Sequence, residues 1–253
     1  MKDETRRSLR SNVEWRKWGE ADPLWSVATW HGKSKSEASP WSEAEFYSIG
    51  ATDWKDFHAH WQRYGLNREN CVEIGCGAGR ITAHLQSSFE RVYALDVSPG
   101  MIAYAAARIR NAKFVLTNGV DIPLNDSSVT AAFSTHVLQH LDAPENALPI
   151  FLEVHRVLIA NGTMMIHLPL YEWPSIDRPL AILFERVFRT RQSLSRLKAA
   201  LQRKWGTLIM RGTWFERAWL TGELRSIGFQ GIEFTNFAVA SNGTYHSFVF
   251  ARK

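Results

Sequence analysis

Cys71-Val72-Glu73-Ile74-Gly75-Cys76-Gly77-Ala78-Gly79-Arg80, followed by Val92-Tyr93-Ala94-Leu95-Asp96, decides how this chain is read. A short apolar run leads into three alternating glycines, and a second apolar run ends in an acid. The order is strand, tight turn, helix, strand, which is half of a dinucleotide-type binding unit. Gly75, Gly77 and Gly79 remove Cβ atoms where the backbone must turn sharply and approach a ligand. The helix expected from about Gly79 offers unpaired N–H groups to negative charge. Asp96, at the end of the next strand, is placed to accept hydrogen bonds from both hydroxyls of a ribose. A nucleoside held at the strand ends is the expectation.

Two ligand classes use such a turn. A nicotinamide dinucleotide usually takes Gly-x-Gly-x-x-Gly, because its pyrophosphate crosses the turn. This chain has Gly-x-Gly-x-Gly-Arg, with Glu73 two residues ahead of the first glycine. That run resembles the first motif of class I S-adenosylmethionine-dependent methyltransferases, where an acid-x-Gly-x-Gly-x-Gly turn holds the methionine part of the cofactor. Three further segments carry the resemblance in the family's order. Asn118-Gly119-Val120-Asp121-Ile122-Pro123-Leu124 is similar to the segment whose polar residue caps the adenine amino group. Val129 to Ser134 and then Thr135-His136-Val137-Leu138-Gln139-His140-Leu141 resemble the fourth strand and the stretch after it that faces cofactor and substrate. A long amphipathic helix carrying Leu148, Phe151, Leu152, Val154, His155 and Leu158 follows, with Asn161-Gly162 as its left-handed stop. Thr163 to Leu168 reads as a fifth strand. The resemblance covers residues 66–170 and resumes over 214–253.

Two departures stand out. Where the family often opens the fourth strand with an aromatic-aspartate pair, this chain has Val129-Thr130; and Asn118 replaces an acid at the adenine end. An amide still hydrogen-bonds, without the charge. From the resemblance, the cofactor S-adenosyl-L-methionine is assigned Glu73, Gly75, Cys76, Gly77, Gly79, Arg80, Asp96, Val97, Met101, Asn118, Gly119, Val120 and Thr135.

The 253 residues suffice for one substantial core with an added cap. The charged amino end lacks the apolar stretch of a signal peptide, and no run reaches membrane-spanning length, so a cytoplasmic protein is expected. Cys71 and Cys76 suit neither a disulfide framework nor a zinc site; free thiols and no metal are expected.

Four regions are expected: a cap over 1–65, the cofactor-binding core over 66–168, a basic helical insert over 169–212, and the rest of the core sheet over 213–253. Seven of the eleven tryptophans (15, 18, 25, 30, 41, 54 and 61) precede the glycine turn. They either fasten a helical cap to the sheet or line a substrate pocket. The insert holds nine basic residues against three acidic ones, an excess above the +5 of the whole chain. Its apolar residues recur at three- and four-residue steps, as on an amphipathic helix. A solvated face, an anionic acceptor pocket and docking on an anionic membrane surface remain open readings. Nucleic acid is weighed below these, since no RNA-binding module is recognisable.

Leu220 to Phe229 resembles the family's last helix, stopped by Gly228. Ile232 to Val239 and Tyr245 to Ala251 read as a hairpin turning at Asn242-Gly243. An antiparallel final hairpin separates this family from dinucleotide dehydrogenases, which end on a parallel strand. The expected fold is therefore α/β: a Rossmann-like, seven-stranded, mostly parallel sheet with an antiparallel last strand and helices on both faces.

The resemblance implies methyl transfer to a small-molecule or lipid-linked acceptor, with oxygen preferred to nitrogen; the absence of an Asn-Pro-Pro-Tyr type run keeps a scaffold without turnover open. Where the acceptor is a hydroxyl, a base near the reacting oxygen adds rate. His140, then His167, then His136 are the candidates on the ligand-bearing rim, and Tyr171 is a candidate to orient the acceptor. Structural roles for the histidines are the competing reading. An RNA-modifying enzyme and a cofactor-binding scaffold without turnover are the alternatives in function.

Overall fold

The computed structural model describes residues 10–172 and 212–253. Ahead of the sheet lie α1 (Arg10–Ala21), α2 (Pro23–Val27) and α3 (Glu43–Tyr64). Local chemistry sets their ends. Asp22 accepts from the Trp25 backbone N–H and Pro23 opens α2, where a missing N–H is harmless. Ser42 and Glu45 form a reciprocal capping box at the start of α3, and Gly65 (φ 120°) closes it in the left-handed region.

The core then runs β1 (Asn70–Ile74), α4 (Thr82–Ser88), β2 (Arg91–Asp96), α5 (Pro99–Ala106), β3 (Lys113–Leu116), β4 (Val129–Ser134), α6 (Leu148–Val157) and β5 (Leu158–His167). A two-residue pair, β6 (Leu170–Tyr171) with β7 (Phe215–Glu216), flanks the undescribed stretch. The chain closes with α7 (Arg217–Ile227), β8 (Gln230–Ala238) and β9 (Tyr245–Arg252). The seven-stranded order is β3-β2-β1-β4-β5-β9-β8. β9 is antiparallel to both neighbours; the other pairings are parallel. The expected mostly parallel sheet with its antiparallel last strand is what the structure has. The order reverses between β1 and β4, and ligands of open α/β sheets bind at such a switch point.

Alternation along the strands builds two cores. Val72, Ile74 and Ala132 face α6 and α7, packing with Val154 and Leu220. Cys71, Ala131 and Phe133 face α3, packing with Trp54, Phe57 and Trp61. Each large side chain buried here contributes about 1.5–3 kcal/mol. Trp61 also donates its indole N–H to the Thr163 hydroxyl at 3.0 Å, tying α3 to β5. A third cluster joins Leu24, Ala28, Trp41 and Phe46 of the N-terminal segment to Ala78 of the glycine turn and Met101 of α5.

Some local expectations shift. The helix after the glycines starts at Thr82 rather than Gly79, because Gly77 to Ile81 is occupied by turns. The long helix ends at Val157 instead of reaching Asn161. Leu158 is extended and pairs with Val129, so its burial in the sheet overrides the helical period. Asn161 is left-handed as expected (φ 63°), but it sits within β5 beside a register shift. No helix among the described residues is long and apolar enough to cross a membrane. The basic insert expected over 169–212 lies outside the described residues from 173 to 211.

Candidate active site

A cavity of about 370 Å³ opens at the carboxyl ends of β1, β2 and β4, where the strand order reverses. The glycine turn forms its floor. Gly75 and Cys76 donate to the Leu95 carbonyl at 2.7 and 2.9 Å, and Gly77 donates to Asp96 Oδ2 at 2.8 Å. Gly75 has φ 74°, and a Cβ there would meet Val137 Cγ2 at 2.2 Å. Only glycine satisfies both the conformation and the approach. A Cβ on Gly77 (φ 53°) would meet Val27 at 2.7 Å, so the N-terminal segment rests directly on the turn.

Asp96 lines the cavity with both oxygens already engaged, Oδ2 by Gly77 and Oδ1 by the Ser98 N–H at 2.9 Å. Burial pushes its pKa up and these N–H bonds oppose the rise. A carboxylate has about four acceptor sites, so capacity remains for a diol. Val97, Met101, Gly119, Val120 and Thr135 also line the cavity, as do Gly75, Gly77 and Arg80. Four other assigned residues, Glu73, Cys76, Gly79 and Asn118, are not part of the wall. Glu73 is buried and accepts from the Thr82 hydroxyl at 2.5 Å, fastening β1 to α4; burial pushes its pKa up to about 7. Cys76 and Gly79 form the underside of the turn, and both cysteines are buried free thiols held protonated by burial.

At the adenine end, Asn118 is not part of the cavity wall. Its Oδ1 accepts from the Val120 and Asp121 N–H groups at 3.0 and 2.9 Å, and its Nδ2 donates to Asp121 at 2.8 Å. The amide builds its own turn and is exposed, while Asp121 lines the cavity. Above this end lies α1. Asn12 donates to the Asn118 carbonyl at 2.6 Å and Arg16 to the Val97 carbonyl at 3.1 Å.

At the other end the wall comes from distant parts of the chain: Trp15 of α1, Ala28 to Trp30 after α2, Asp53 of α3, and Ser241, Asn242 and His246 of the final hairpin. Arg80 and Asp53 form a buried ion pair there. Arg80 Nε and Asp53 Oδ1 have no hydrogen-bond partner among the described residues, and neither do Ser11 Oγ and Thr135 Oγ1. All four belong to cavity-lining residues. Buried polar atoms in that state are normally satisfied by a ligand or water. The cavity therefore fits a polar, nucleoside-bearing cofactor such as S-adenosylmethionine at the Asp96 end, with a polar acceptor at the Arg80 end.

The three candidate histidines part company. His140 lines the cavity, accepts from the Gln139 amide at 3.0 Å on Nε2, and meets the Trp15 ring edge-on at 5.0 Å. His136 also lines it, in an uncommon left-handed conformation (φ 58°). His167 is buried behind the wall. Burial, aided by neighbouring cations and histidines, pushes the His167 pKa down to about 3 and that of His136 well below its usual value. Tyr171 pairs with Glu216 in the short second sheet and is not part of the cavity wall. The sequence reading missed Asp53, His246 and Asn12, which lie in no motif and reach the site only through packing. The tryptophans divide between both readings: Trp41, Trp54 and Trp61 are buried fasteners, whereas Trp15 and Trp30 line the cavity.

Comparison with known proteins agrees with this geometry. The methyltransferase domain family matches residues 72–166. A malonyl-[acyl-carrier protein] O-methyltransferase of Hahella chejuensis is 35% identical over 108 residues, covering 40% of this chain and 38% of that one. A demethylmenaquinone methyltransferase of Tropheryma whipplei is 27% identical over 117 residues, covering 43% and 47%. The chain thus spans less than half the length of the curated relatives it matches. Among solved structures, an S-adenosylmethionine-dependent methyltransferase of Mesorhizobium loti superposes with a TM-score of 0.56 at 18% identity, over 81% of this chain and 99% of that one. That likeness speaks to the fold. Sheet order, glycine turn and domain match concur: residues 72–166 match the methyltransferase domain family, and the chain has the fold of S-adenosylmethionine-dependent methyltransferases of known structure.

Proposed function

We propose that this protein transfers a methyl group from S-adenosylmethionine to an oxygen of a small-molecule or lipid-linked acceptor. The observation that carries this reading is a single cavity with two chemically different ends, Asp96 and the glycine turn at one and Arg80, Asp53 and His140 at the other. The relative named for O-methylation of a malonyl group attached to a carrier protein points in the same direction. When bound, S-adenosylmethionine would supply an electrophilic sulfonium methyl for in-line attack by the acceptor oxygen, with the thioether of S-adenosylhomocysteine as leaving group.

What the chain contributes is mainly position, and correct alignment is worth several kcal/mol of barrier. Gly75 and Gly77 let the backbone approach the cofactor, and Asp96 holds its ribose. Arg80 keeps donor groups beyond those that bind Asp53, suiting an anionic or carbonyl oxygen on the acceptor. A carboxylate acceptor needs no base. For a hydroxyl acceptor, His140 is the base we favour: its proton sits on Nδ1, and the Nε2 lone pair that accepts from the Gln139 amide takes the hydroxyl proton once the acceptor displaces that amide. The expected cytoplasmic setting, and contact with a membrane through the basic insert expected over 169–212, stay with this proposal.

The test is calorimetric titration with S-adenosylhomocysteine, followed by transfer of a labelled methyl to carboxylate and hydroxyl acceptors. Binding together with incorporation supports the reading. Binding without incorporation across both acceptor classes favours a scaffold. No binding to folded protein overturns it.

A further inference from the structure

His136, His167 and His246 converge from three elements: the stretch after β4, the end of β5 and the start of β9. One nitrogen from each lies within 4.8 Å of the other two. Ring centroids are 4.5, 4.8 and 5.1 Å apart, with interplanar angles of 49°, 83° and 52°. The rings are therefore tilted around a common point and not stacked. A tetrahedral ion about 2.0–2.1 Å from each nitrogen sets ligand nitrogens about 3.4 Å apart and ring centroids about 5 Å apart. The separation of His167 Nε2 and His246 Nδ1 is 3.4 Å. As a hydrogen bond that contact is long; as one edge of a coordination tetrahedron it is already the right length.

The tautomer of His246 agrees. Thr244 Oγ1 donates to Asn242 Oδ1 at 2.6 Å, so its lone pair is what faces His246 Nε2 at 2.8 Å. His246 then carries its proton on Nε2 and turns a bare Nδ1 toward His167. Such an outer partner fixes the orientation of a metal-bound imidazole. The left-handed backbone of His136 aims its ring at the same point, a strain that needs a reason. Arg80 is nearby, but its charge is balanced by Asp53.

We propose that His136, His167 and His246 form a three-nitrogen site for a divalent transition-metal ion of the zinc class. Imidazole donors without carboxylates select such an ion over magnesium or calcium. Because His136 and His246 line the cavity while His167 lies behind it, the fourth position opens inward. An oxygen of a bound molecule or water completes the shell there. This proposal departs from the expectation of no metal from sequence, and it stands whatever reaction the cavity runs.

The test uses tag-free protein stripped with chelator and titrated with Zn²⁺ by calorimetry and Co²⁺ by visible absorption. One equivalent bound in the micromolar range or tighter, with the intense absorption of four-coordinate cobalt, is expected. His246→Gln abolishes the signal, His140→Gln retains it, and Thr244→Val weakens binding about 10- to 100-fold. Circular dichroism confirms that each variant is folded; where His246→Gln is not, His167→Gln replaces it. No saturable binding by wild type overturns the site, as does cobalt absorption that survives loss of His246 or His167.

Discussion

The two ends of the cavity are built on opposite plans. The Asp96 end is made by neighbours in sequence: Gly75 and Gly77 at the tip of β1 and Asp96 at the tip of β2, joined by backbone hydrogen bonds. The Arg80 end gathers Trp15, Asp53, His140 and His246 from four separate parts of the chain, held by side-chain packing. Backbone geometry at the first end tolerates little change of residue type. At the second, side chains facing the cavity can change while β9 and α3 keep their packing on the sheet, the buried Arg80–Asp53 pair excepted, so acceptor choice can vary while the cofactor end stays fixed.

The sharpest way to break this contrast is Arg80→Met. It leaves Asp53 buried and unpaired, and we expect about 3–5 kcal/mol of lost stability in urea unfolding. Adding Asp53→Leu should restore most of it, while acceptor turnover stays low. If the single variant is as stable as wild type, the pair contributes nothing and the second end is looser than described.

Glu73 tests the first end through pH. Its folded pKa, about 7, lies above its unfolded value, so stability falls as pH rises from the ordinary carboxylate range toward neutrality. Over that window the loss is at most about 3 kcal/mol. Glu73→Gln should flatten this limb in unfolding curves taken between pH 5 and 8, and an unchanged slope would reassign it to other groups.

Next in size is Asp96→Ala, which removes a carboxylate charge-assisted at both oxygens. About 100-fold weaker binding of S-adenosylhomocysteine is expected by calorimetry. Asn118→Ala completes the comparison. Its amide caps a turn and does not face the cavity, so affinity should change by less than about 1 kcal/mol. A loss as large as that of Asp96→Ala would return Asn118 to the adenine.

Legibility from sequence followed the same division. Gly75, Gly77 and Asp96 could be placed because a strand, a turn and a strand fix their spacing in the chain. The residue type of Asn118 suits both an adenine contact and a self-capped turn, and in the structure the turn closes with two N–H groups at its own sequence distance. The order His136, His140, His167 said nothing of which faces the cavity. That depends on the left-handed residue at 136 and on β9 covering 167. Asp53 and His246, set on a helix and a strand with no motif around them, carried no signal of their own.

The uneven spread of the indoles gives the protein an optical property of its own. Trp54 and Trp61 sit in a dry core, where their emission stays blue and constant as long as the sheet is folded. Trp15 and Trp30 border the cavity, and Trp15 lies against His140. Among the described tryptophans it is Trp15 and Trp30 that line the cavity, so a molecule arriving there changes the polarity around them and not around Trp54 and Trp61. Difference emission spectra therefore report occupancy without a label, and Trp15→Phe and Trp30→Phe divide the signal by position.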